Sequence, residues 1–311
     1  MTHGTAEQDK EKIDAVWGDP QDWAADGWHW THLEAIQQMN NRHVTGDPHL
    51  SDMARFFEQI VPKERPVPVE RALVLACGGT TGLEHGIYRA GWVKEIVAVD
   101  ISPRAVAAAA AATKAAGITG IHYQVGDMNA LDVEGPFDVV FGVSALHHCA
   151  ELENLYAAVE RVMAPDGWFF IQDFVGPTRF QWTEDQVLLI NRLLHILPER
   201  FLVNRKNYRR RDFWRVEAEV LAAFDPSEAV RSSEILPLLK ERFHVEEVRG
   251  FGGGLLHLAL ATIAHNFDVA QSGDPTGPEY LRLLIEASDE LRRQGRTQDD
   301  FAFALARHRR T

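Results

Sequence analysis

RALVLACGGTTGLEHGIYRAGWVKEIVAVD, spanning Arg71 to Asp100, is the stretch that decides the fold. It opens on an apolar run, Ala72–Ala76, that reads as a buried strand. A turn rich in glycine follows (Gly78, Gly79 and Gly82), then a helical pattern through Leu83, Ile87 and Tyr88 that Gly91 stops. A second apolar run, Ile96–Val99, ends in Asp100. Glycines let the backbone turn sharply and let a nucleoside lie against it without a Cβ in the way. The acid follows the loop by about 20 residues, the spacing at which a carboxylate takes the hydroxyls of a ribose.

Working outward, Ser102 and Pro103 open a helix through the alanine run 105–112, ended by Gly117. Ile121–Val125 reads as a third strand, followed by GDMNALDV. Phe137–Phe141 is a near-continuous apolar run, the mark of a central parallel strand. Its carboxyl end delivers Ser144, Leu146, His147 and His148. A helix from about Glu151 to Met163 and a strand, Trp168–Gln172, come next, with Asp173 at the strand's end.

The segment 176–240 exceeds what a minimal sheet needs. Thr183 with Gln186 reads as a capping box, with Val187, Ile190, Leu194 and Leu197 at helical spacing behind it. Further helices are predicted over 209–223 and 233–242. Phe243–Gly250 reads as strand six, Leu255–Phe267 and 279–294 as helices, and Asp300–His308 as the last strand. Upstream, residues 1–15 read as a polar tail. Trp17, Trp23, Trp28 and Trp30 precede a helix that starts near Thr31. Ser51 caps a helix carrying Met53, Phe56, Phe57 and Ile60.

With 311 residues and 45% hydrophobic content the chain suits a full core plus a covering element. No apolar run reaches the ~18 residues of a membrane span, and the polar start carries no secretory signal core. Cys77 and Cys149 fall in core segments, as reduced thiols of a cytoplasmic protein do. A net charge of −13 argues against a nucleic-acid partner. The local cluster Arg205, Lys206, Arg209, Arg210 and Arg211 reads as a solvated helix face or as a patch for an anionic group.

From Val69 to Phe174, and again at its end, the sequence resembles the class I S-adenosylmethionine (SAM)-dependent methyltransferases. ACGGTTG stands where that family has its first glycine motif, with Ala76 in place of the usual first glycine and one extra residue before Gly82. The resemblance implies an α/β fold: a Rossmann-like, doubly wound, mostly parallel seven-stranded sheet with an antiparallel last strand. N-terminal helices and a helical insert over the cleft complete it. Four parts are expected: a tail and helical cap (1–66), the SAM-binding core (67–175), an acceptor lid (176–242) and the rest of the core (243–311).

It also implies SAM as co-substrate, touched by Ala76, Gly78, Gly79, Gly82, Asp100, Ile101, Asp127, Met128 and Ser144. Asp127 is the match for the acid that accepts from the adenine amine, with Met128 beside the ring. His147, His148 and Asp173 are the candidate catalytic groups. Trp28, Arg179, Phe180, Trp182, Arg231 and His257 are candidate acceptor contacts. No metal is expected, because adjacent histidines on an extended chain point to opposite sides.

The expected acceptor is a small molecule, a glycan, sugar or secondary-metabolite precursor methylated on oxygen or nitrogen. Neither nucleic acid nor membrane is expected as partner, and self-association is possible. The alternatives are S-methylation of a thioether amino acid such as methionine, a SAM-binding protein without turnover, and a nicotinamide-dependent oxidoreductase. The acid loop after strand three and the reversed last strand count against the oxidoreductase.

Overall fold

In the computed structural model, which describes residues 6–19 and 29–309, seven strands form one sheet of order β3-β2-β1-β4-β5-β7-β6. The strands are β1 (Val69–Leu75), β2 (Val93–Asp100), β3 (Ile121–Val125), β4 (Phe137–Val143), β5 (Met163–Phe174), β6 (His244–Gly250) and β7 (Phe301–Arg307). β1 pairs in parallel with β2 and β4, whereas β7 runs antiparallel to both β5 and β6. This is the doubly wound α/β sheet that the sequence predicts.

Alternation along the central strands makes two cores. Leu73, Leu75, Val140, Phe169 and Ile171 face one side, under the helix Leu152–Val162. Ala72, Val74, Val139, Phe141 and Phe170 face the other, against Phe56, Phe57 and Ile87. Successive residues of a strand point to opposite faces, so a strand covered on both sides must be apolar throughout. Each such side chain contributes about 1.5–3 kcal/mol when fully buried. Both cysteines are free and buried.

A third core lies off the sheet. It joins Trp30, Leu33 and Ile36 to Ile190 and Leu194 of the insert and to Leu256, Ile263 and Leu284. The insert therefore buries its apolar face against segments from both ends of the chain. Ile235 and Leu239 instead pack on the sheet, which makes Ile235–Arg242 a crossover helix into β6.

Four elements differ from the sequence-based expectation. Residues 6–15, expected as part of a polar tail, belong to the helix Ala6–Trp17. Residues 209–217 are not helical, and only Ala218–Phe224 forms a helix there. The reason is Arg210, whose guanidinium donates to the carbonyls of Leu258, Ala259 and Ala261. It caps the C-terminus of the helix Leu256–Leu260, where a cation satisfies orphan carbonyls. That contact holds the chain extended across the helix end. The predicted helix Leu255–Phe267 is broken near Thr262, which takes a left-handed φ of 64°. Finally, Thr183 accepts from Gln186 N at 3.2 Å, but the Gln186 side chain leaves the cap and donates to the Gly254 carbonyl at 2.6 Å. Half of the capping box forms.

Candidate active site

A cavity of about 880 Å³ opens at the carboxyl ends of β1 to β4. It lies at the point where the strand order reverses, between β1 and β4. The turn after β1 builds one wall. Ala76, Gly78 and Gly79 take left-handed φ of 48°, 62° and 73°. Such angles are strained for any residue with a Cβ, which gives the physical reason that glycine is usual where Ala76 stands. Replacing Ala76 with glycine removes that strain, ~1–2 kcal/mol, against ~0.5–1 kcal/mol of added unfolded-state entropy. A net gain of about 0.5–1 kcal/mol in urea unfolding is expected. Gly82 has an ordinary φ and open space at its Cβ position, so nothing there demands glycine.

The strand-end acids are held by the backbone. Asp100 is buried and accepts from Gly78 N at 2.8 Å and from Ser102 N at 2.9 Å. Burial raises its pKa against the pull of those two bonds. A carboxylate has about four acceptor positions, so two remain. Asp127 accepts from Asn129 N at 2.9 Å and pairs with Lys10 at 3.0 Å. Burial pushes its pKa up, but Lys10 and Asn129 outweigh it and hold the group low. Lys10 belongs to the helix Ala6–Trp17, which also supplies Ile13 and Trp17 to the cavity wall.

At the far wall His147 forms a buried dyad. Its Nδ1 lies 2.5 Å from Asp173 Oδ1, and its Nε2 lies 3.6 Å from Glu228 Oε1. Asp173, at the end of β5, also accepts from Ala145 N, Leu146 N and Phe174 N at 2.7–2.8 Å. Burial lowers the His147 pKa, yet the adjoining Asp173 and Glu228 reverse this and raise it. Burial pushes Glu228 up to about 7, although His147 opposes the shift. His148 is driven far down by burial and by its neighbour His147. The two histidines occupy a 3-10 turn, Leu146–His148, with ring centroids 4.1 Å apart. The expectation that they diverge assumed an extended chain, and the turn corrects it.

Residues 73–171 match the family described as "Methyltransferase domain". The match spans about a third of the chain. Its class I, SAM-dependent architecture is the one that the sequence resembles. Among solved structures, a geranyl diphosphate C-methyltransferase from Streptomyces coelicolor A3(2), bound to Mg2+, geranyl diphosphate and S-adenosyl-L-homocysteine, is 13% identical at a TM-score of 0.53. That alignment covers 98% of this chain and 100% of that one. A Haemonchus contortus N-methyltransferase, bound to phosphomonomethylethanolamine and S-adenosylhomocysteine, is 12% identical at a TM-score of 0.53. There the alignment covers 97% of this chain and 60% of that one. A SAM-dependent methyltransferase from Clostridium acetobutylicum ATCC 824 is 14% identical, with 42% of this chain and 59% of that chain covered and a TM-score of 0.33. These likenesses concern the fold. No curated protein matches the sequence.

In the structure, Ala76, Gly78, Asp100, Ile101, Asp127 and Met128 line the cavity together, as do Ser144, His147 and His148. Gly79, Gly82 and Asp173 are not part of that lining. The proposed acceptor contacts are not brought there. Arg179 donates to the carbonyls of Pro226 at 2.7 Å and Glu228 at 2.9 Å, clamping the loop that carries Glu228. Arg231 pairs with Glu153 and Glu234, each at 2.7 Å. Phe180 stacks on Trp182, with ring centroids 5.0 Å apart, and the Trp182 indole donates to Asp300 at 2.8 Å. His257 Nδ1 donates to the Gly253 carbonyl beside the same aromatic cluster, and burial lowers its pKa to about 4. Trp28 lies outside the described residues.

Three residues of the basic cluster are likewise held by internal partners. Arg205 bonds Gln271 at 2.6 Å, Arg209 pairs with Glu199, and Arg210 caps a helix. Sequence reasoning missed Glu84, Ser227 and Glu228. Glu84 is buried on the cavity wall, its pKa is pushed up to about 7 by burial, and its Oε1 has no hydrogen-bond partner. An acid two residues past the glycine turn was a usable signal. Trp17 meets His148 edge-on at 5.2 Å, and its indole donates to Asp225 at 2.7 Å. Among the described residues no helix is long and apolar enough to cross a membrane.

Proposed function

We propose that the methyltransferase transfers the methyl group of SAM to an oxygen or nitrogen atom of a small acceptor, with His147 receiving the acceptor's proton. The observation that carries this reading is the buried His147–Asp173 pair on the wall of the same cavity as Asp100. Asp100 takes the ribose hydroxyls through its two remaining acceptor positions. Asp127 takes the adenine amine once Lys10 releases it, and Ile101 and Met128 flank the ring. Ala76, Gly78 and Ser144 border the methionine part. Glu84, with an unpaired buried oxygen, takes the ammonium of that part.

The chemistry asks little covalent work of the protein. The acceptor's electron pair forms the new bond to carbon, the carbon–sulfur bond breaks, and its pair leaves on the thioether. Holding the acceptor in line supplies up to about 7–11 kcal/mol. Proton removal at a positioned imidazole adds about 10²–10⁴-fold. The acceptor in this reading is a glycan, sugar or secondary-metabolite precursor.

Titration calorimetry with SAM and S-adenosylhomocysteine tests the donor pocket, and labelled SAM with pooled metabolites tests turnover. Absence of heat with both nucleosides contradicts the reading. Because the ammonium binds the ionised form of Glu84, whose pKa lies near 7, affinity is expected to rise from about pH 6 to about pH 8. Glu84→Gln is expected to weaken binding roughly tenfold or more and to flatten that rise, since a hydrogen bond to a charged group is worth about 1.5–3 kcal/mol. An unchanged pH profile in the variant sinks the role given to Glu84.

A further inference from the structure

His147, His148 and Glu228 bring two imidazole nitrogens and one carboxylate oxygen within 4.8 Å of one another. The spacing inside this group is informative. His147 Nε2 and Glu228 Oε1 are 3.6 Å apart, beyond a good hydrogen bond. Two ligands held ~2.1 Å from a tetrahedral ion lie about 3.4 Å apart. At most roughly 1.4 Å of contraction brings the widest pair to that spacing.

Each imidazole already has its Nδ1 engaged. Asp173 holds His147 at 2.5 Å, and Ser227 Oγ holds His148 at 3.1 Å. Metal-binding histidines are oriented this way, through the ring nitrogen that does not meet the ion. Arg179 fixes the Glu228 loop by bonding to its carbonyls rather than to its carboxylates. Asp173, Asp225 and Glu228 thus crowd together with one guanidinium nearby, an acidic surplus that a cation relieves.

We propose that His147, His148 and Glu228 form a site for one divalent transition metal ion, open towards the acceptor end of the cavity. Two nitrogens and one oxygen suit zinc, manganese or iron, whereas calcium and magnesium take oxygen ligands. The site deepens the methyl-transfer reading and rests on it for the acceptor's location. A bound ion holds the acceptor oxygen and lowers its proton affinity. With the ion bound, His147 is a ligand and no longer the proton acceptor: the proton leaves to cavity water, the oxygen pair forms the carbon–oxygen bond, and the carbon–sulfur bond breaks with its pair on sulfur.

The test strips the full chain with a chelator and titrates it with Co2+, followed by absorbance and by equilibrium dialysis with metal analysis. One equivalent is expected to bind. Glu228→Gln and His148→Gln are each expected to weaken uptake at least tenfold, with unfolding midpoints within a few degrees of the parent protein. Less than one equivalent, or undiminished uptake in both variants, overturns the site. Calorimetry with S-adenosylhomocysteine on the same samples separates the two readings. Retained nucleoside binding without Co2+ uptake overturns the metal site alone. Co2+ uptake without nucleoside binding overturns the donor pocket alone.

Discussion

Asp173→Ala is expected to lower unfolding free energy by about 3–5 kcal/mol, the cost of removing one partner from a buried ion pair. The carboxylate is fully buried and accepts from three backbone N–H groups as well as from His147. Truncation leaves those donors without water or protein partners, at ~1–3 kcal/mol each before relaxation. The same donors hold the turn that presents His147 and His148, so the site loses its geometry with the stability. Urea unfolding measures the effect, with Asp173→Asn as the shape-preserving comparison. A loss below about 1 kcal/mol contradicts the view that this carboxylate anchors the loop.

His147→Ala is expected to reduce kcat by about 10²–10⁴, the range for a positioned acid or base. SAM affinity is expected to stay within a few-fold, because the residues proposed to hold ribose and adenine lie on other strand ends. Single-turnover kinetics with a purified acceptor reads both quantities. The outcome also discriminates acceptors, since a thioether has no proton to lose. An unchanged kcat therefore contradicts the proton-transfer role and favours transfer to sulfur.

The sheet was legible because its strands are buried on both faces and hence written as unbroken apolar runs, such as Ala72–Leu75 and Val139–Phe141. The strand-end acids were legible because loop and acid stand at a spacing fixed by the βαβ unit. The covering elements were harder. Arg179, Arg210 and Arg231 look in sequence like groups awaiting an anion, but each is spent on internal carbonyls or carboxylates. Sequence does not distinguish a guanidinium that meets a ligand from one that meets its own backbone. Arg210 also explains the missing helix, because a tertiary contact overrode local propensity there.

Glu228 escaped notice for a related reason. It sits far along the chain, in a loop folded back onto β4 and β5 by Arg179, and only the tertiary fold places it beside His147. The divergence expected of the two histidines failed because the chain after β4 turns rather than extends. Trp17 was a candidate aromatic wall from sequence, but its partner was not legible there. Its role as a wall against His148 depends on a helix from the start of the chain packing across the cleft.

The central claim is that the cavity beside Asp100 holds an adenosyl sulfonium with its methyl group facing His147 and His148. A crystal structure with S-adenosylhomocysteine tests it most directly. The account predicts both ribose hydroxyls at hydrogen-bond distance from Asp100, the adenine amine at Asp127 with Lys10 displaced, and sulfur turned towards the histidines. A nucleoside bound elsewhere, or bound with its sulfur facing away from His147, contradicts it.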